Sequence, residues 1–426
     1  MVPGDSVGAR SPGKRAGRPQ LILVLGALSA FGPMCTDMYL PAFPSIGREL
    51  GVSDSVVQLT VTTCLLGLAF GQVLAGPLSD RLGRRPPLIG GLAVFTAASL
   101  LCAVAPNSGV LLAGRLVQGL AGAAGLVIGR AAVRDLFGGR QAARFFATLM
   151  LVMGVAPILA PLAGAGILEW TSWRGIFVVL ACFGALLVPA VLVWLPETLP
   201  AERRHVGGAG STGRALASML RQRSFVGLAL TSGLVSGAMF AYIGDATFVL
   251  QQVYGLSPQQ FALVFGSNAV GIIGASQISA RLVERVTPRA LLWAGVIQAA
   301  AGGLLLLIAA ATSLPLPVVL VGLFAVVSTI GLVSPNATAL ALEDHAAAAG
   351  SAASLLGVAQ LAIGALLAPI VGLLGDKALP LAAVMAAAAF AALLVMTVVV
   401  PGGTIRPRTE SCVELEVPRA PGRQHS

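Results

Sequence analysis

Charge is scarce in this chain of 426 residues: 10% of them are charged, and 17 Asp and Glu stand against 27 Lys and Arg. With 56% apolar residues and a mean hydropathy of +0.89, there are too few polar side chains to clothe a water-soluble globule. Histidine is nearly absent, and His205, His345 and His425 all fall in polar segments, so no nucleophile and base share an apolar run. No glycine-rich phosphate loop ending in Lys is present, and the polar segments are too short to fold a nucleotide-driven motor domain. The five cysteines, Cys35, Cys64, Cys102, Cys182 and Cys412, are odd in number and lack ligand spacing, which supports neither a disulfide framework nor a metal site. The chain is therefore read as no enzyme, with no cofactor and no metal.

What is plentiful is long apolar sequence. A bilayer core of about 30 Å needs roughly 20 helical residues, and twelve stretches of that length begin near Leu21, Ser55, Pro87, Gly109, Phe145, Trp173, Phe225, Gln259, Arg289, Leu316, Gly350 and Leu379. The expected fold is all-α, a polytopic membrane protein with twelve transmembrane helices. The first stretch, preceded by Arg10, Lys14, Arg15 and Arg18 and containing Ala27-Leu28-Ser29-Ala30, has the look of a secretory leader. An uncleaved first helix is expected, because cutting there would destroy the first span.

The basic residues set an orientation. With the amino terminus inside, 23 of the 27 Lys and Arg lie in cytoplasmic segments, so both termini are expected in the cytoplasm and the protein in the cell inner (plasma) membrane. The net charge of +10 is then the ordinary Arg enrichment beside an anionic leaflet and implies no nucleic acid. The largest polar interruption separates six spans from six, giving an N-terminal segment 1–20, a first bundle 21–195, a central loop 196–223, a second bundle 224–400 and a disordered tail 401–426. A faint repeat accompanies this division: Ser79-Asp80-Arg81-Leu82 after the second span recurs as Ser279-Ala280-Arg281-Leu282 after the eighth. Two six-helix bundles around a midplane cavity are the architecture such symmetry implies.

Chemistry concentrates at few positions. Among the acids, Asp37 and Asp245 lie well within spans, where a carboxyl is costly and functional by default. Asp37 is the expected proton-coupling group. Helix direction places it and Arg115 in the outer half of the membrane, about five and six residues from their helix ends, a depth at which they can pair. Asp245 is either a second titratable group or a residue that favours cationic cargo, or else a residue of the outer mouth of the seventh span. The loop Gly76-Pro77-Leu78-Ser79-Asp80-Arg81-Leu82-Gly83-Arg84-Arg85 needs Gly76 and Gly83 for close backbone approach and permissive dihedrals, and Asp80 to accept from helix-start amides, Arg81 or Arg84. Gly67 and Gly71 read as a packing pair. On the fifth span Gly154, Pro157, Pro161 and Gly164 combine close packing with a loosened hydrogen-bond ladder.

These motifs, in this order, resemble the major facilitator superfamily, and within it the bicyclomycin-resistance (Bcr/CflA) type of drug:proton antiporters. Gly76 to Arg85 is similar to the superfamily's inner-loop signature. Thr36-Asp37-Met38-Tyr39-Leu40-Pro41 resembles the first-helix segment of the drug exporters, Arg115-Leu116-Val117-Gln118-Gly119 the fourth-helix motif, and Pro196-Glu197-Thr198-Leu199 the exit from helix six. The resemblance implies secondary multidrug efflux by alternating access, with a small amphipathic drug exchanged for protons and the proton gradient as the energy source. It implies a monomer whose partners are cargo, protons and lipid. Gly76, Asp80, Arg81, Gly83, Arg84 and Arg85 become a conformational latch between bundles, and Gly154, Pro157, Pro161 and Gly164 a variant antiporter motif. Tyr39, Gln118, Phe240 and Tyr242 are the expected cavity residues, with Phe70, Phe248 and Phe265 as further aromatic candidates. Asp245 departs from relatives that carry small neutral residues there. The alternative on the same architecture is a carrier for one metabolite, such as a sugar or peptide.

Overall fold

Backbone polar groups in hydrocarbon must find partners inside the chain, and a span without a sheet partner meets this by forming a helix. The structure is a computed structural model and describes residues 18–137, 139–200, 218–343, 349–374 and 378–400. The amino-terminal 17 residues, the central-loop segment 201–217 with His205, the stretch 344–348 with His345, Lys377, and the tail from 401 with Cys412 and His425 lie outside them. Among the described residues there is no strand.

The first bundle contains α1 (Arg18–Asp37), α2 (Phe43–Leu50), α3 (Asp54–Leu82), α4 (Arg85–Ala103), α5 (Ser108–Leu136), α6 (Gly139–Leu168) and α7 (Trp173–Trp194). The second contains α8 (Arg223–Phe248), α9 (Pro258–Leu282), α10 (Pro288–Ala311), α11 (Leu316–Ser328), α12 (Ile330–Glu343), α13 (Ala349–Leu374) and α14 (Ala378–Val398). Helix starts follow from local chemistry. Asn107 caps α5 by accepting from the Val110 amide, and Ser257 and Gln260 form a reciprocal capping box at α9.

Eleven spans among the described residues are long and apolar enough to cross a membrane, and α6, with the apolar stretch Gly154–Leu168, stands where the fifth was expected. Most expected starts agree with the structure within two or three residues. The first span differs. It runs from Pro19 to Leu50 as a broken rod, because Pro41 and Pro44 follow Asp37 closely and the chain passes through a turn and a short 3-10 segment, Leu40–Ala42, before α2. Asp37 is therefore about thirteen residues from the end of its span, not five. The tenth span is likewise divided, between α11 and α12.

Packing separates the halves. In the first, α3 and α4 both lie on α5, α4 also on α7, and α1 on α5 and α6. In the second, α8 lies on α13 and α14, and α10 on α11 and α14. The bundles meet where α3 crosses α13 and α6 crosses α9. The repeated tetrapeptides close equivalent helices, α3 and α9. Large apolar side chains such as Leu186, Val193, Leu373 and Val398 stay exposed on the rim, as lipid requires.

The α3–α5 seam is built on small residues. A Cβ at Gly119 would strike the Cys64 carbonyl of α3 and come within 3.1 Å of the Leu68 nitrogen, and Gly67 and Gly71 press in the same way on Leu116 and Leu120 of α5. Gly76 was expected to allow a close approach, but nothing lies within 4 Å of a Cβ built there. Gly83 does need its freedom, with φ of 92°. The same substitution at the two sites thus has opposite consequences. Gly119→Ala is expected to cost about 1–3 kcal/mol of stability, whereas Gly76→Ala, in a helical and open position, is expected to be neutral or to gain up to ~1 kcal/mol. Melting curves of the purified variants in one detergent check this, and equal shifts would contradict the seam.

Candidate functional site

The motif loop, the end of α5 and the exit from α7 meet in one knot. Arg84 is 5% exposed at its side chain and donates from Nε to Asp135 at 2.8 Å, and from Nη1 to Asp80 and to the Ser79 hydroxyl at 2.7 Å. Burial disfavours the charge on Arg84, but the bonds to Asp135 and Asp80 outweigh it and hold the guanidinium pKa above its ordinary value. Glu197 caps α4 from 113 residues away, accepting from the amides of Arg84 at 2.8 Å and Arg85 at 3.1 Å. Arg85 reaches the Leu192 carbonyl, and Thr198 donates to Asp135 at 3.1 Å. Asp80 thus pairs with Arg84, while the helix-start amides expected of it belong to Glu197; Arg81 is exposed. These bonds join the first bundle to the start of the central loop.

Arg115 is completely buried and does not pair with Asp37. Its Nη2 donates to the Cys35 carbonyl at 2.8 Å, its Nη1 to Gln118 and to the Cys35 sulfur at 3.4 Å, and its Nε to the Thr60 carbonyl at 3.4 Å. The guanidinium also lies 4.2 Å from the Tyr39 ring centroid. Tyr39 is bonded to Thr60, and Gln118 donates to Ser99 at 2.7 Å, so both expected cavity residues are instead committed to this cluster. The reason is angular. Residues two apart on a helix are about 200° apart, so when Cys35 faces Arg115, Asp37 turns the other way. The sulfurs of Cys35 and Cys64 lie 3.3 Å apart beside Arg115, a contact that spacing alone did not foretell.

Asp37, 4% exposed, faces a cavity of about 380 Å³ between the bundles. Its Oδ1 accepts from the Thr36 hydroxyl at 2.7 Å. The first bundle contributes Thr36, Asp37, Gln72, Arg130 and Pro157, and the second Phe240, Tyr242, Asn268 and Gln360, among apolar neighbours such as Leu65, Leu68 and Phe265. Phe240 and Tyr242 both line this cavity. Phe70 is 60% exposed on the rim, and Phe248 packs on Phe43 with ring centroids 5.5 Å apart. Asn268 donates to the Tyr242 hydroxyl at 2.8 Å, and Gln360 to Ser232 at 2.6 Å and Ser334 at 3.3 Å. Gln72, Asn268 and Gln360 were visible in the sequence only as polar interruptions of apolar runs. Arg130 stands near the end of α5, where a basic residue reads in sequence as part of a cytoplasmic loop. Gly154 lies against Ile273, Gly164 receives the Met38 carbonyl at the break in the first span, and Pro161 is buried.

Asp245 does not line the cavity. It is 2% exposed, three residues before the end of α8, and accepts from Gln58 of α3 across the boundary between bundles. Gly372 of α13 closes on Gln58 and Ser55 at the same point. Gln251 donates to the Pro41 carbonyl at 3.3 Å and Gln259 to Glu169 at 2.9 Å. These bonds join the bundles at the end opposite the Arg84 knot, which closes that end.

Residues 25–369 match the profile of the Major Facilitator Superfamily. The chain is 42% identical over 370 residues to an uncharacterized MFS-type transporter, YdgK, of Bacillus subtilis (strain 168), an alignment that covers 86% of this chain and 92% of that one. It is 33% identical over 367 residues to a bicyclomycin resistance protein homolog of Haemophilus influenzae, with the same coverage. Among solved structures, a D-xylose-proton symporter superposes with a TM-score of 0.70 at 16% identity, over 90% of this chain and 98% of that one.

The Arg84 knot makes an asymmetric stability prediction. Arg84→Ala takes the guanidinium from Asp135 and leaves it the Thr198 hydroxyl, and is expected to cost about 1–3 kcal/mol, while Asp80→Asn, at a side chain 52% exposed, is expected to cost under about 1 kcal/mol. Thermal unfolding in detergent reads both, and a loss at Asp80 equal to that at Arg84 would refute the central place given to the arginine.

Proposed function

The chain belongs to the major facilitator superfamily, and on that premise we propose that it exports small amphipathic drugs in exchange for protons, acting as a monomer in the plasma membrane. The observation that carries this reading is Asp37, a buried carboxyl at the break of the first span, facing the cavity between the bundles. A carboxylate there attracts either a proton or a polar, donor-rich cargo, and the two compete for it. Charged Asp37 accepts cargo, and protonation weakens that hold and lets cargo leave, so flux in one direction drives flux in the other. The likeness to a bicyclomycin resistance protein homolog supports drug as the cargo class.

The basic residues at the Arg84 end support its placement in the cytoplasm. In that orientation the cavity is sealed from outside by Gln58–Asp245 and its neighbours, and loading takes place from the cytoplasm. Export then requires these outer bonds to break while contacts form at the Arg84 end. Arg115 serves to hold α1 so that Asp37 points into the cavity, and Asp245 serves the outer gate.

Drug-induced proton release from energised inverted vesicles tests the exchange. Bicyclomycin or chloramphenicol is expected to collapse part of the pH gradient with the intact protein and to leave it unchanged with Asp37→Asn; proton release that persists in the variant removes Asp37 from coupling. The gate has its own measurement. Gln58→Ala and Asp245→Ala are each expected to raise the outward-open population several-fold, read as longer distances between spin labels placed on α3 and α8 at the outer end. An unchanged distance distribution would show that this bond does not hold the gate.

A further inference from the structure

The cavity carries two charges of opposite sign, and they stand far apart along the membrane normal. Asp37 closes α1 at the end remote from the Arg84 knot, whereas Arg130 is six residues, about 9 Å, from the end of α5 that carries Asp135 and the knot. The second bundle adds a polarity of its own. Gln360 commits its two amide N–H groups to Ser232 and Ser334 and Asn268 commits one of its two to Tyr242, while the carbonyl oxygen of each amide stays available as an acceptor. Donor groups of a cargo are thus met by Asp37 and by acceptors on the opposite wall, and the cavity's guanidinium lies toward the cytoplasmic mouth. Arg130 has a contact within the protein, but its planar fork of five N–H donors can keep that contact and still present donors to a ligand.

We infer that Arg130 is a specificity-determining residue that selects cargo carrying an anionic group, so that the preferred ligand is an elongated zwitterion with its ammonium toward Asp37 and its carboxylate toward Arg130. Arg130 is exposed at the cavity wall, and a bidentate guanidinium–carboxylate bond there is charge-assisted and stronger than a neutral one. A permanent lipophilic monocation gains nothing from it and meets repulsion at the mouth. This inference rests on the export reading of the same cavity.

A matched pair of probes isolates the carboxylate: ciprofloxacin, with a piperazinium and a carboxylate at opposite ends, and its ethyl ester, which keeps the piperazinium alone. Binding to the purified protein is followed through the drug's own fluorescence. Ciprofloxacin is expected to bind at least tenfold more tightly than the ester, a difference of about 1.4 kcal/mol. Arg130→Gln is expected to bring the ratio within about threefold, and Arg130→Lys to restore part of it; both variants are first shown monodisperse with unchanged melting curves. A ratio near one in the intact protein, or a ratio that Arg130→Gln leaves alone, overturns the inference. Proton release by bicyclomycin or chloramphenicol that persists alongside such a result shows that only the role of Arg130 has failed. Absence of drug-driven proton release with every compound removes the export reading and the inference with it.

Discussion

A buried guanidinium with no carboxylate beside it among the described residues is the constraint on which the first bundle is organised. Arg115 satisfies its donors with the Cys35 and Thr60 carbonyls, the Gln118 amide and the Cys35 sulfur, and covers a face with Tyr39. In a low-dielectric interior such a charge is tolerated only if its geometry is held on several sides. Through Ser99, the cluster ties α1, α3, α4 and α5 together. Because it takes the Cys35 face of α1, it turns Asp37 to the cavity. The orientation of Asp37 in the cavity therefore depends on a cation it does not touch.

The ends of the molecule are held by different means. At one, Arg84, Asp80, Asp135 and Glu197 lock four segments of the first bundle to one another. At the other, Gln58 and Asp245 join one bundle to its neighbour, backed by Gly372. A rigid bundle and a breakable contact between bundles are what rocking about a central cavity requires, since motion must be confined to interfaces while each bundle moves as a body. The close glycine contacts along α3 and α5 serve the rigid part.

The cavity departs from an apolar, indifferent pocket. Its charges, Asp37 and Arg130, come from helices of the same bundle, whereas Tyr242, Asn268 and Gln360 come from the other. Any cargo that touches both walls spans the boundary between bundles, so its contacts change whenever the bundles rock. That coupling of ligand contacts to a two-state interface is how binding biases conformation.

The sequence by itself determined the helical, membrane-spanning class, the positions of most spans, and the presence of a few costly polar groups within them, because length and hydropathy act locally and the bilayer enforces them. Glycine pairs such as Gly67 and Gly71 were legible for the same reason. The partners of those polar groups were decided only by the tertiary structure. The spans are apolar on nearly every side, so no amphipathic stripe shows which face turns inward, and a rotation of a few tens of degrees reassigns every neighbour. Hence Arg115 was expected beside Asp37 and instead holds Cys35, Tyr39 and Gln118 lie behind the cavity rather than in it, and Glu197 caps a helix 113 residues away. Arg130 sits near a helix end, where charge is ordinary in sequence; only the packing of the bundles around α5 makes it part of a cavity.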